Sequence, residues 1–161
     1  MTVIAWIVEG TWPACVDAAR AHAPEGTDIV LLHVTDPEAV NAARGSYAGL
    51  LGRARPDRDP AVPLGTLASA AADRLLSEAA ARLGRPATRL RRTGRPEHEV
   101  TATPGPTDLL VLTRDGTPGH PGPHSLGPAT RFVVDHALCP VLLVWPEAPA
   151  PEREKPAHGM P

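Results

Sequence analysis

Asp108-Leu109-Leu110-Val111-Leu112-Thr113 opens the stretch on which the fold turns. A glycine- and proline-rich interval follows, then apolar positions at Ala129, Phe132, Val133, His136 and Ala137, then Val141-Leu142-Leu143-Val144-Trp145. A short apolar run bounded by Asp and turn residues reads as a strand, and the next apolar positions recur at helical spacing. The last run is a second strand. Two strands joined through a helix in one sheet need a crossover, which makes them parallel and the connection right-handed. The unbroken apolarity of 109–112 suits a strand covered on both faces.

Working outward, residues 3–8, 28–34 and 87–93 supply three more strands, and 108–113 and 141–145 complete a set of five. Trp12, Val16, Ala19 and Ala23 make one helical stripe, and Leu64, Ala68, Ala71, Leu75, Ala79 and Leu83 a longer one. A short helix is expected over 96–103, ended by Pro104-Gly105-Pro106. This alternation predicts an α/β fold, a five-stranded parallel sheet with helices on both faces. Thr88-Arg89-Leu90-Arg91-Arg92 offers one large apolar side chain, so the third strand belongs at an edge, where charge discourages pairing with another chain.

Residues 36–63 are long for a connection and read as a helix near 37–51 followed by a charged, Pro-rich run at 53–63. Residues 1–146 make one domain. The remainder, 147–161, is Pro, Glu, Lys and Ala, with too little apolar surface to offset ordering, and is expected to be a disordered tail.

The balance of 16 basic and 18 acidic side chains leaves a net charge of −2, which gives no general attraction to nucleic acid or to an anionic membrane. Arg85, Arg89, Arg91, Arg92 and Arg95 cluster without interleaved aromatics, so edge protection explains them better than a nucleic-acid surface. No run approaches the roughly 18 apolar residues of a membrane span. Cys15 and Cys139 match no metal or redox spacing, and a start without a basic segment lacks the pattern of a signal peptide; together these point to the cytoplasm. His120 and His124 flank Pro-Gly-Pro, which denies them a shared helical face, so no metal site is expected. His136 reads as a packing residue and Cys139 as a buried, inert thiol. No phosphate-loop lysine motif, nucleophile elbow or zinc-protease motif points to an enzyme.

Several short pieces resemble the universal stress protein family in matching order. Asp108-Leu109-Leu110-Val111-Leu112 is similar to the family's Asp-Leu-Ile-Val-Met strand, and His136-Ala137-Leu138-Cys139-Pro140-Val141 to its His-Ala-x-Cys-Pro-Val helix exit. Leu32-His33-Val34-Thr35-Asp36, Glu9-Gly10-Thr11 and Gly94-Arg95-Pro96 resemble the ends that follow its first three strands. The resemblance implies strand order 3-2-1-4-5, an adenine nucleotide alpha hydrolase-like fold, and a homodimer paired through Val141 to Trp145. It also implies an ATP or AMP site between strands one and four, where open α/β sheets bind ligands. Glu9, Gly10, Thr11, Val34, Leu112, Thr113, Gly116, Gly127, Pro128, Ala129 and Thr130 are the positions it assigns to that nucleotide.

The phosphate loop departs from the family's Gly-x2-Gly-x9-Gly-Ser/Thr. Thr113 replaces the first glycine, the spacer 117–126 has ten residues, and Gly127-Pro128 ends it without a hydroxyl and with one N–H fewer. A shifted reading pairs Gly116 and Gly119 with Ala129-Thr130, and Thr130 in either reading retains a hydroxyl. Pro128 also suits plain helix initiation. Asp115 reads as a turn residue whose charge opposes phosphate. The expected function is a binding or regulatory module with weak or lost adenine nucleotide binding. The alternative is a slow ATP hydrolase acting through Glu9 and the remnant loop.

Overall fold

Strands and helices alternate along the chain in the computed structural model, which describes residues 1–38, 42, 61–116 and 125–146. The order is β1 (Thr2–Trp6), α1 (Trp12–His22), β2 (Asp28–Thr35), α2 (Ala61–Leu83), β3 (Thr88–Thr93), α3 (Pro96–Ala102), β4 (Leu109–Thr113), α4 (Pro128–His136) and β5 (Val141–Val144). Prolines start helices where a missing N–H does no harm: Pro13, Pro96 and Pro128 all lie in first turns. Gly84, at φ 66°, ends α2 in the left-handed region that side chains disfavour, and its N–H bonds to the Ala80 carbonyl.

The sheet is five-stranded and all its pairs are parallel, in the order β3-β2-β1-β4-β5. β1 runs between β2 and β4, with Ile4 level with Val30 on one side and Leu110 on the other. Its two faces carry separate cores. Val3, Ala5, Ile7, Ile29, Leu31 and Val111 pack against Cys15, Val16 and Ala19 of α1 and Leu76, Ala79 and Leu83 of α2. Ile4, Trp6, Leu32, Leu110 and Leu112 pack on the other face against Val100 of α3 and Val133 of α4. Each fully buried aliphatic side chain stabilises by roughly 1.5–3 kcal/mol.

The expected edge is found: every β3 residue except Leu90 is exposed. Two of its three arginines bend back onto the neighbouring helix. Arg89 donates to the Ser77 hydroxyl (2.9 Å), and Arg91 to the Ser69 hydroxyl (2.7 Å) and Asp73 (3.3 Å), all on α2. Arg85 holds the carbonyls of Ala23 and Pro24 at 3.0 and 3.1 Å. Arg89 and Arg91 thus tie the edge strand to α2, and Arg85 ties the turn before it to the end of α1. A bidentate Arg82–Asp17 pair (2.6 and 3.0 Å) joins α2 to α1. Both side chains are about two-fifths exposed, so the pair contributes at most about 1 kcal/mol.

Several expectations from the sequence need correction. The buried stripe of α2 is Ala72, Leu76, Ala79 and Leu83; Ala71 is exposed and Leu75 only half-buried. An alanine-rich helix offers two nearly equivalent stripes one residue apart, and packing on α1 and β2 chose between them. β1 ends at Trp6, because the Val8 carbonyl turns to accept the N–H groups of Thr11 (3.2 Å) and Trp12 (3.0 Å). β5 ends at Val144, and Trp145 is 45% exposed. His136 is exposed rather than packed inside; Nδ1 donates to the Phe132 carbonyl at 2.9 Å and the ring stacks on Phe132. Cys139 is half-buried. Most of the predicted helix near 37–51, most of the run at 53–63, His120, His124 and the tail at 147–161 lie outside the described residues. Among the described residues no helix is long and apolar enough to cross a membrane.

Candidate functional site at the carboxyl ends of β1 and β4

In the order β3-β2-β1-β4-β5 the connections leave β1 and β4 in opposite directions, so a crevice forms beyond their carboxyl ends. The loop after β1 carries Glu9, Gly10 and Thr11. Gly10 has φ 83°, and a Cβ there would meet nothing within 4 Å, so the glycine answers a backbone demand rather than a crowded one. His33 of β2 braces this loop by donating from Nδ1 to the Ile7 carbonyl at 2.9 Å. The loop after β4 is tied to it directly, since the Thr113 hydroxyl donates to the Thr11 carbonyl at 3.3 Å. Cys15 of α1 adds a second tie, its thiol donating to the Val111 carbonyl at 3.3 Å. Complete burial pushes that thiol up to about 12.

Past Thr113, the Arg114 N–H bonds to the Val144 carbonyl at 2.7 Å, and its guanidinium lies 4.6 Å from the Trp145 ring centroid. The next residue, Asp115, departs from the turn role its sequence suggests. Its carboxylate reaches the start of α4, where Oδ1 accepts the Gly127 N–H at 2.6 Å and Oδ2 accepts the Thr130 hydroxyl at 3.0 Å. Thr130 is 2% exposed, so its hydroxyl is committed to this bond.

The sequence-derived residues thus fall into two groups. Glu9 and Val34 line a cleft of about 410 Å³ together with His33, Asp36, Arg74 and Glu78, on the α2 side of the crevice. Gly127 and Thr130 gather around Asp115 at the N-terminus of α4, with Gly116 next to it in the chain. Thr11 and Thr113 form the bridge between the two. Leu112 is a core residue, fully buried on the α3–α4 face. Pro128 and Ala129 line a separate hollow beside Glu97 and Phe132. His33, Arg74 and Glu78 were missed by sequence reasoning; helical or strand periodicity marks them only as polar positions. Among the described residues no group of three or more His, Cys, Asp or Glu side chains could hold a metal ion.

No family model matches this sequence, and no curated protein matches it. Solved structures do match its fold. The hypothetical protein MJ0577 is 16% identical with a TM-score of 0.62, covering 92% of this chain and 97% of that one. A universal stress protein in complex with cAMP is 17% identical with a TM-score of 0.58, covering 91% and 97%. The universal stress protein UspA from Lactobacillus plantarum is 23% identical with a TM-score of 0.51, covering 88% and 96%. Nearly whole-chain coverage on both sides, with the sheet order that the resemblance implied, shows that this chain shares the fold of the universal stress protein structures.

Proposed function

We propose that this chain is a non-catalytic binding or regulatory module of the universal stress response that takes an adenine nucleoside or nucleotide weakly in the crevice beyond β1 and β4. The observation that carries the reading is the bridge from Thr113 to Thr11 at 3.3 Å, which holds both loops of the switch point in one frame beside the cleft of Glu9 and Val34. The complex of a similarly folded universal stress protein with cAMP supports an adenine ligand. Two free cysteines support a reducing, cytoplasmic setting. β5 pairs with β4 alone among the described strands, and Val141, Leu142, Leu143 and Val144 are all half-buried; a twofold mate along that edge would cover them and make a homodimer.

Titration calorimetry with adenosine, AMP, ATP and cAMP tests the ligand. Weak binding of adenosine is expected, with loss on Ala71→Trp, an exposed position of α2 that lines the same cleft. No heat with any of the four would remove the reading. A parallel phosphate-release assay with ATP addresses the alternative of slow hydrolysis. Turnover that disappears in Glu9→Gln would establish an enzyme in place of a binding module.

A further inference from the structure

The start of α4 is already occupied by an anion, and that anion belongs to the chain. Pro128 has no N–H, so the helix offers the Gly127 N–H, the Thr130 hydroxyl, and the Ala129 and Thr130 N–H groups, which lack intrahelical acceptors as at any helix start. Asp115 takes the first two of these with its two carboxylate oxygens, at 2.6 and 3.0 Å. The macrodipole of α4 favours negative charge at this end, which fits a carboxylate as well as a phosphate.

Two features show that the contact is built rather than incidental. The backbone just before Asp115 is anchored to the sheet through the 2.7 Å bond from Arg114 N–H to Val144, so the carboxylate is delivered from a fixed point. Gly127 is the residue that leaves it room, because a Cβ at that position would collide with Asp115 Oδ2. In phosphate loops a glycine lets the backbone approach the ligand's anion; here it lets the backbone approach an aspartate of the same chain.

We infer that Asp115 is the specificity-determining residue of the crevice: its carboxylate sits on the helix donors a phosphate would use and selects for ligands without negative charge there. The inference rests on the proposed adenine site for its biological meaning, while the seat itself is defined by Asp115, Gly127 and Thr130. A phosphate arriving at α4 would have to break both carboxylate bonds and then remain beside the displaced charge. Ligands of the adenosine class meet no such barrier.

Inorganic tripolyphosphate, ATP and adenosine, each titrated calorimetrically into the full-length chain with and without Mg²⁺, test this against Asp115→Gly, Asp115→Asn and the control Asp135→Asn. Asp135 is an exposed carboxylate toward the other end of α4, so its variant makes the same charge change away from the seat. Circular dichroism establishes that each variant is folded; Asp115→Asn keeps one acceptor for Gly127 if the glycine variant loosens α4. The expected result is a gain of about 10- to 100-fold in tripolyphosphate and ATP affinity in both Asp115 variants, the scale of one or two charge-assisted hydrogen bonds, with adenosine affinity unchanged. Equal phosphate affinity in the wild type and both Asp115 variants overturns the inference. So does an equal gain in Asp135→Asn, which would trace it to net charge, or Mg²⁺-dependent ATP binding by the wild type that Asp115→Asn abolishes, which would make the carboxylate a metal ligand. A gain for tripolyphosphate with no adenosine binding in any protein supports the seat and removes only the adenine reading.

Discussion

Replacing Asp108 should weaken the fold more than its position in a surface turn suggests, and the loss should depend on pH. Asp108 stands one residue before β4, and its carboxylate links two distant segments. Oδ1 accepts the Thr2 N–H at the start of β1 at 2.7 Å, and Oδ2 accepts the Gly105 N–H of its own turn at 2.8 Å. The bond from Thr2, then that from Gly105, holds this carboxyl below the usual carboxylate range. Asn keeps one acceptor oxygen but points an NH₂ at the second N–H, so Asp108→Asn loses one charge-assisted bond outright and the charge on the other. Such a bond is worth about 1.5–3 kcal/mol, and partial exposure lets water recover some of it, so a loss of about 2 kcal/mol is expected at neutral pH. For a chain of this size that lowers the melting midpoint by about 4–8 °C. A group whose folded pKa is depressed stabilises above its unfolded pKa, about 3.9 for Asp, and the contribution fades as pH falls through the lower folded value. The gap between wild type and variant should therefore be full at pH 7 and narrow steadily below about pH 4. Asp17, whose pKa is lowered chiefly by its hydrogen bond from Arg82, titrates in the same direction but is common to both proteins and cancels in the difference. Urea unfolding of wild type, Asp108→Asn and Asp108→Ala at pH 7 and pH 3 measures this. A neutral-pH difference under about 0.5 kcal/mol, the usual scale of an inconsequential surface change, would refute the reasoning, as would a gap that stays constant on acidification.

Leu112→Ala should cost about 2–5 kcal/mol in chemical denaturation, since the side chain is fully buried between the sheet and α4; a loss below about 1 kcal/mol would mean that core collapses around the cavity. Alkylation of the native protein near pH 8, read by peptide mass spectrometry, should modify the half-buried Cys139 well before Cys15, whose thiol burial raises to about 12; equal rates would contradict the tie to Val111. Trp145→Lys should shift a β5-paired dimer toward monomer in sedimentation experiments while leaving the melt cooperative, because the ring is half exposed and stacks only on Arg114 in the described chain. Leu143 is a poorer probe, since it packs against the core of the α3–α4 face. A wild-type monomer at micromolar concentration would end the dimer proposal.

The alternation of apolar runs and helical stripes determined the α/β class by itself, because strand and helix periodicities are written in near neighbours along the chain. The arginines of Thr88–Thr93 determined which strand lies at the edge, since no buried strand could carry them. The family-like pieces at 108–113 and 136–141 suggested the strand order that the sheet adopts. Only the tertiary structure decided which stripe of α2 is buried, for two alanine-rich faces one residue apart differ little until a sheet packs against one of them. It alone gave Asp108 a partner 106 residues away at Thr2, and Asp115 a seat on Gly127 and Thr130 across 12 and 15 residues. Contacts of that span depend on strand register and on where a helix begins in space. A side chain with turn chemistry in the sequence can therefore become the anion that fills a phosphate's place in the fold.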